Sequence, residues 1–147
     1  MRNEGKSEPG ASHSARETVL YVTDCVHDSQ SSVDLACQMA EERDALVEII
    51  HVIDPEHTPS RPDAQMGVQY RLEGLARGLT RLKGSARALV LFGKPEDVIS
   101  KRARDIRAIL IAFPFNGPAP DRVLHRLVRS LTQMCNCPVL MLPTNLP

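Results

Sequence analysis

Aromatic residues are scarce in this chain: among 147 residues it has no Trp, two Tyr and three Phe. Proteins that bind single-stranded nucleic acid stack bases on aromatic platforms, so that class is disfavoured. The core must instead be assembled from Val, Ile, Leu, Ala and Met. Long hydrophobic runs are absent too, and none approaches the roughly 20 residues that cross a bilayer. The first residues, MRNEGKSEPGASHSARE, lack the apolar stretch of a secretory signal, so a cytoplasmic location without membrane contact is expected. The four cysteines, Cys25, Cys37, Cys135 and Cys137, are not spaced as a disulfide framework. Reduced thiols are the expectation.

Net charge is also missing: 18 basic residues balance 18 acidic ones. The balance hides an asymmetry. Residues 18–66 carry two basic and ten acidic groups, a net of −8, and residues 67–147 carry thirteen basic and five acidic, a net of +8. Such a split either decorates solvated helix faces or steers a charged partner.

What the chain does have is alternation. Residues 1–17, rich in Ser, Gly and charge, read as a disordered tail, leaving 18–147 as one α/β domain. Strands are expected at 18–23 (TVLYVT), 46–53 (LVEIIHVI), 86–92 (ARALVLF), 108–113 (AILIAF) and 138–142 (PVLML). Near-continuous apolar runs of this length suit strands buried on both faces. Between them, apolar residues recur at helical spacing over 31–43, 67–82, 95–104 and 121–134. Pro95 stands at a first-turn position that tolerates it, and Asp121 lies near a positive helix terminus. In the last helix Val123, Leu124, Leu127, Val128, Leu131 and Met134 form an apolar stripe. Alternating strands and helices give βαβ units, a parallel sheet and, with right-handed crossovers, a doubly wound fold. Ligands in such sheets sit beyond the carboxyl ends of the strands. That places Asp24, the loop after Val52, Gly93 and the loop after Phe113 around one crevice.

Several motifs in this order resemble the universal stress protein family. The first strand ends in Asp24, with SSVDLACQMAEE after it. The second reads IIHVIDP. The third runs into GKPEDVI, and the chain closes on CPVLMLP, Cys137 to Pro143. The resemblance spans about residues 18–143. It implies a five-stranded sheet in the order 3-2-1-4-5 and a homodimer formed through the last strand, here Val139, Leu140, Met141 and Leu142. It also implies ATP binding in many members, through Gly, two residues, Gly, nine residues, then Gly and Ser or Thr after the fourth strand. Counted back from Cys137-Pro138, those glycine positions fall on Ala112, Phe115 and His125, and the Ser/Thr position falls on Arg126. The loop itself gains prolines, each of which removes an N–H donor. The triphosphate cradle is therefore expected to be missing; Phe113 and Phe115 either stack a flat ligand or, the favoured reading because the prolines stiffen the loop, plug the place.

Other constellations yield bland readings. Cys25 and His27 could pair as a nucleophile, but two apart on a loop with no orienting third residue they read first as a plain loop; a hydrolase or redox enzyme built on them is the outlying third reading. His51 reads as a structural histidine within a strand. Cys135-Asn136-Cys137 does not reach the paired C-x₂₋₄-C of a zinc site, and no metal is expected. Arg122, Arg126 and Arg129, with Lys101, Arg102 and Arg104, form a basic surface open to an acidic partner, although no nucleic-acid motif accompanies it. The expectation is a non-enzymatic, dimeric regulatory protein that uses protein contacts, has an unknown protein partner and holds no cofactor. The alternative is a nucleotide- or small-anion-binding protein, or a weak ATPase. It would use Asp24, the backbone at Val52, Gly93, His125 and Arg126.

Overall fold

The computed structural model describes residues 17–23, 30–56, 86–115 and 121–144, together with residues 67, 69, 70, 72–74 and 77. The expected tail up to residue 16, and Asp24, Cys25 and His27, lie outside the described residues. Glu17, counted with that tail, is already tied to the sheet: its carbonyl accepts from the Leu46 N–H at 2.9 Å.

In chain order the elements are β1 (Thr18–Val22), α1 (Gln30–Glu42), β2 (Leu46–Ile53), β3 (Ala86–Phe92), α2 (Pro95–Asp105), β4 (Ala108–Phe115), α3 (Arg122–Met134) and β5 (Val139–Pro143). The described residues between 67 and 77 are helical. All pairings are parallel, and the sheet order is β3-β2-β1-β4-β5. This is the doubly wound parallel sheet the alternation called for, in the 3-2-1-4-5 order the family resemblance implied.

The period-two alternation of strand side chains divides the core. Val19, Tyr21, Val47, Ile49, Leu110 and Ala112 face α1 and Leu72. Leu20, Val22, Ile50, Ile111 and Phe113 face Ile99 and Ala103 of α2 and Val128 and Leu131 of α3. Tyr21 makes a buried hydrogen bond at 2.9 Å to the Ser32 hydroxyl, fastening β1 to α1. On the other face Glu48 of β2 is 2% exposed. The Arg102 guanidinium grips it with Nε and Nη2, each 2.6 Å from a carboxylate oxygen, and Arg87 stands 3.2 Å away. Arg102, read from the sequence as part of a basic surface, thus turns inward as a counter-ion.

Two further differences have clear causes. β4 runs on through Pro114 to Phe115 instead of ending at Phe113. The Ile111 N–H donates to the Pro138 carbonyl, and the Phe115 carbonyl accepts from Thr144 N–H. Odd positions of β4 therefore address β5, and Pro114 directs its missing donor toward β1. Pairing with β1 has ended by then, at Ala112 opposite Tyr21, so the proline forfeits no ladder bond. Val123 and Met134, placed in the apolar stripe of the last helix, are instead exposed, Val123 at 77%.

Candidate functional site

Strand order reverses between β1 and β4, and a cleft of about 340 Å³ opens beyond their carboxyl ends. Its floor is Val22 and Thr23 after β1, His51 and Val52 from β2, and Phe113 to Phe115 of β4. α2 contributes Pro95 and Ile99, and the start of α3 contributes Asp121, Val123, Leu124 and Leu127. The wall is mostly apolar. Among the described lining residues none is Lys or Arg, and the polar groups are Thr23, His51 and Asp121.

His51 owes its place to the parallel pairing of β2 with β1. Its Nδ1 lies 2.8 Å from the Thr23 carbonyl. A carbonyl oxygen only accepts, so Nδ1 carries the proton in this bond. The histidine is thus held by the backbone, as expected, while it also lines the cleft.

Asp121 stands at the amino end of α3. It has extended geometry (φ −71°, ψ 171°), and its Oδ1 accepts from the Leu124 N–H at 2.8 Å. Its carbonyl accepts from the His125 N–H at 2.9 Å. This is the side-chain cap that helix termini favour, because it satisfies an N–H left without an intrahelical partner. It also sets a carboxylate on the positive end of the helix.

The structure gathers some of the sequence-selected residues and separates others. Val52 lines the cleft. Gly93 follows β3 with φ 139°, and its N–H donates to the Ile53 carbonyl at 3.0 Å. A side chain there would meet Val98 Cγ2 at 2.7 Å, so the glycine is required by the turn. His125 and Arg126 are exposed on α3 and are not among the residues lining the cleft. Phe113 and Phe115 line the cleft without filling it. Residues the sequence reading passed over, Pro95, Ile99 and Thr23, form part of the wall. Nothing in the local sequence marks them; Pro95 and Ile99 reach the cleft because α2 starts at this end of the sheet, and Thr23 because it directly follows β1.

A model of the universal stress protein family matches residues 15–143 of the chain. A search of curated protein sequences finds no match. Among solved structures, the chain is similar to a universal stress protein from Archaeoglobus fulgidus in complex with dAMP, at 16% identity and a TM-score of 0.66, covering 85% of this chain and 96% of that one. A universal stress protein family member from Burkholderia pseudomallei is 23% identical, with a TM-score of 0.59 and coverage of 92% and 99%. A family protein from Arabidopsis thaliana with AMP bound is 15% identical, with a TM-score of 0.58 and coverage of 88% and 92%. At such identities the likeness speaks for the fold.

Proposed function

Because the chain belongs to the universal stress protein family, we propose that it is a regulatory member of that family, a cytoplasmic homodimer that works through protein contacts rather than by turnover and does not hold ATP. One observation carries this reading. The amino end of α3, the place where a helix offers N–H groups to a phosphate, is occupied by the protein's own carboxylate, Asp121. The Leu124 and His125 amides are already engaged. A triphosphate there would meet a fixed negative charge, with no Lys or Arg among the described residues of the cleft to offset it. The family's glycine-rich phosphate pattern, which falls here on Ala112, Phe115, His125 and Arg126, is replaced by residues that bring bulk or continue the helix.

A second reading draws on the cleft itself. It lies at the switch in strand order, its volume falls within the usual range for small-molecule sites, and similar structures carry dAMP or AMP. A nucleotide or small anion would then use the backbone at Val52, which lines the cleft, with Gly93, His125, Arg126 and the sequence candidate Asp24 as its further contacts.

Isothermal titration separates the two. Nucleotide-free protein is titrated with ATP and Mg²⁺. The expected result is no binding heat, with no nucleotide released on denaturing the purified protein. Stoichiometric binding overturns the first reading and selects the second.

A further inference from the structure

At the other end of the sheet, a second cavity of about 280 Å³ lies where α2 and α3 finish and β4 begins. Ser100, Ala103, Arg104, Arg107 and Ala108 form one side, and Met134, Cys135, Asn136 and Cys137 form the other. The proposed function makes no use of it. Its composition is nonetheless distinctive: two free, half-buried cysteines share its lining with two exposed arginines.

The backbone explains the pairing of the thiols. The chain leaves α3 at Cys135 in extended geometry (φ −111°, ψ 153°) and bends through Asn136 and Cys137 before β5. The bend keeps Cys137 near Cys135, near enough for charge on one thiol to raise the other. Arg107, at the close of α2 with φ 55°, and Arg104 bring positive charge to the same opening. Guanidinium forks match carboxylates in geometry and charge. The cavity has room for part of a small molecule, and its charge favours an anion.

We propose that this cavity is a thiol–disulfide exchange site for a low-molecular-weight disulfide bearing carboxylates, with Cys135 as the attacking residue and Cys137 as the resolving one. The Cys135 thiolate forms a bond to one sulfur of the disulfide. The other sulfur leaves with the electron pair as a thiolate and takes up the proton Cys135 released. Cys137, deprotonated in turn, attacks Cys135 Sγ in the mixed disulfide and expels the second small thiol. In sum, two protein thiols are oxidised to an intramolecular disulfide, and one small disulfide is reduced to two thiols.

The order of attack follows from the surroundings. Burial raises both thiols above their ordinary range. Arg104 opposes that rise at Cys135; at Cys137, Cys135 adds to the rise and a backbone hydrogen bond opposes it. The guanidinium beside Cys135 is what favours its thiolate for the first attack. Cys37 is a poor competitor, because it is buried beneath α1 and pushed up to about 11 by burial and then by Asp34 and Glu41. The arginines raise the encounter rate with an anionic disulfide, which compensates for thiols that are mostly protonated at neutral pH.

The test is exposure of the full chain to glutathione disulfide, read by intact mass and peptide mapping. The expected product is a Cys135–Cys137 disulfide. In Cys137→Ser a stable glutathione adduct collects on Cys135. The reaction with glutathione disulfide is slowed about tenfold by Arg104→Ala with Arg107→Ala, while reaction with the uncharged hydroxyethyl disulfide keeps its rate. These arginines are exposed, so the variant folds; in the unaltered chain, added salt slows only the anionic reagent. Adducts confined to Cys25 or Cys37, equal salt dependence for both disulfides, or no adduct at all would overturn the proposal.

Discussion

Glu48 shows how much one side chain can demand of its surroundings. Its carboxylate is buried in β2 and is held mainly by Arg102, with the more exposed Arg87 further away. Removing one partner of a buried pair leaves a charge without compensation, at a cost of about 3 kcal/mol. Arg102→Ala is therefore expected to lose about that much stability in urea unfolding. A loss below about 1 kcal/mol would mean that Arg87 alone suffices. Cys37 makes a prediction about pH. Its folded value, about 11, lies above the ordinary 9.0 because the thiolate is disfavoured by burial and by Asp34 and Glu41. A raised folded value means that the unfolded chain gives up the proton first. The stabilising contribution is therefore complete below about pH 9 and is lost as pH climbs toward 11. Cys37→Ala should flatten the alkaline fall in stability between those values, measured by urea midpoints across the range.

At the scale of elements, the start of α3 and the turn after β3 are the sensitive points. Asp121→Ala removes the cap and is expected to cost about 1 kcal/mol, whereas Asp121→Asn retains it. Because the asparagine also removes the negative charge from the helix terminus, it should bind inorganic phosphate or ATP more tightly than the unaltered chain, as read by titration. Equal affinity in both would mean that Asp121 is not what bars the anion. Gly93→Ala faces both a disfavoured φ of 139° and a contact at 2.7 Å with Val98, and should cost about 1–3 kcal/mol, measured as a shift in thermal midpoint. Much of this architecture was legible in residue order. The β-branched run of β2 and the apolar run of β3 mark their own bounds, and Pro95 marks the start of α2. Periodicity did not show where Pro114 would direct its missing donor, because that depends on which neighbour β4 has outgrown. Nor could it pair Glu48 with Arg102, 54 residues apart in the chain, or tell that Val123 closes no core but borders a cleft. The cleft's location followed from topology, whereas its apolar character came from helices crossing over the strand ends.

For the whole molecule, the sheet order leaves β3 and β5 as edges. A sheet edge presents unpaired N–H and C=O groups and invites another strand. The two edges differ in what they offer. β5 is a short, uncharged strand, VLMLP, in which Leu140 is 38% exposed while Val139 and Met141 are half-buried. β3 carries Arg87, whose side chain is 67% exposed, and a charge on an edge discourages pairing. β5 is thus the better seat for the proposed two-fold contact, in which each copy's Leu140 would meet apolar surface of the other. The charge split between residues 18–66 and 67–147 adds an attraction between unlike halves that salt would screen. Substitution at Val139 would disturb the core as well, since that residue packs against the α2 and α3 side. Leu140→Asp is the cleaner variant. It is expected to shift sedimentation from dimer to monomer with little change in thermal midpoint. If the variant stays dimeric, β5 is not the contact. If the unaltered chain dissociates on adding salt while Leu140→Asp has no effect, the charged halves rather than the strand edge hold the copies together.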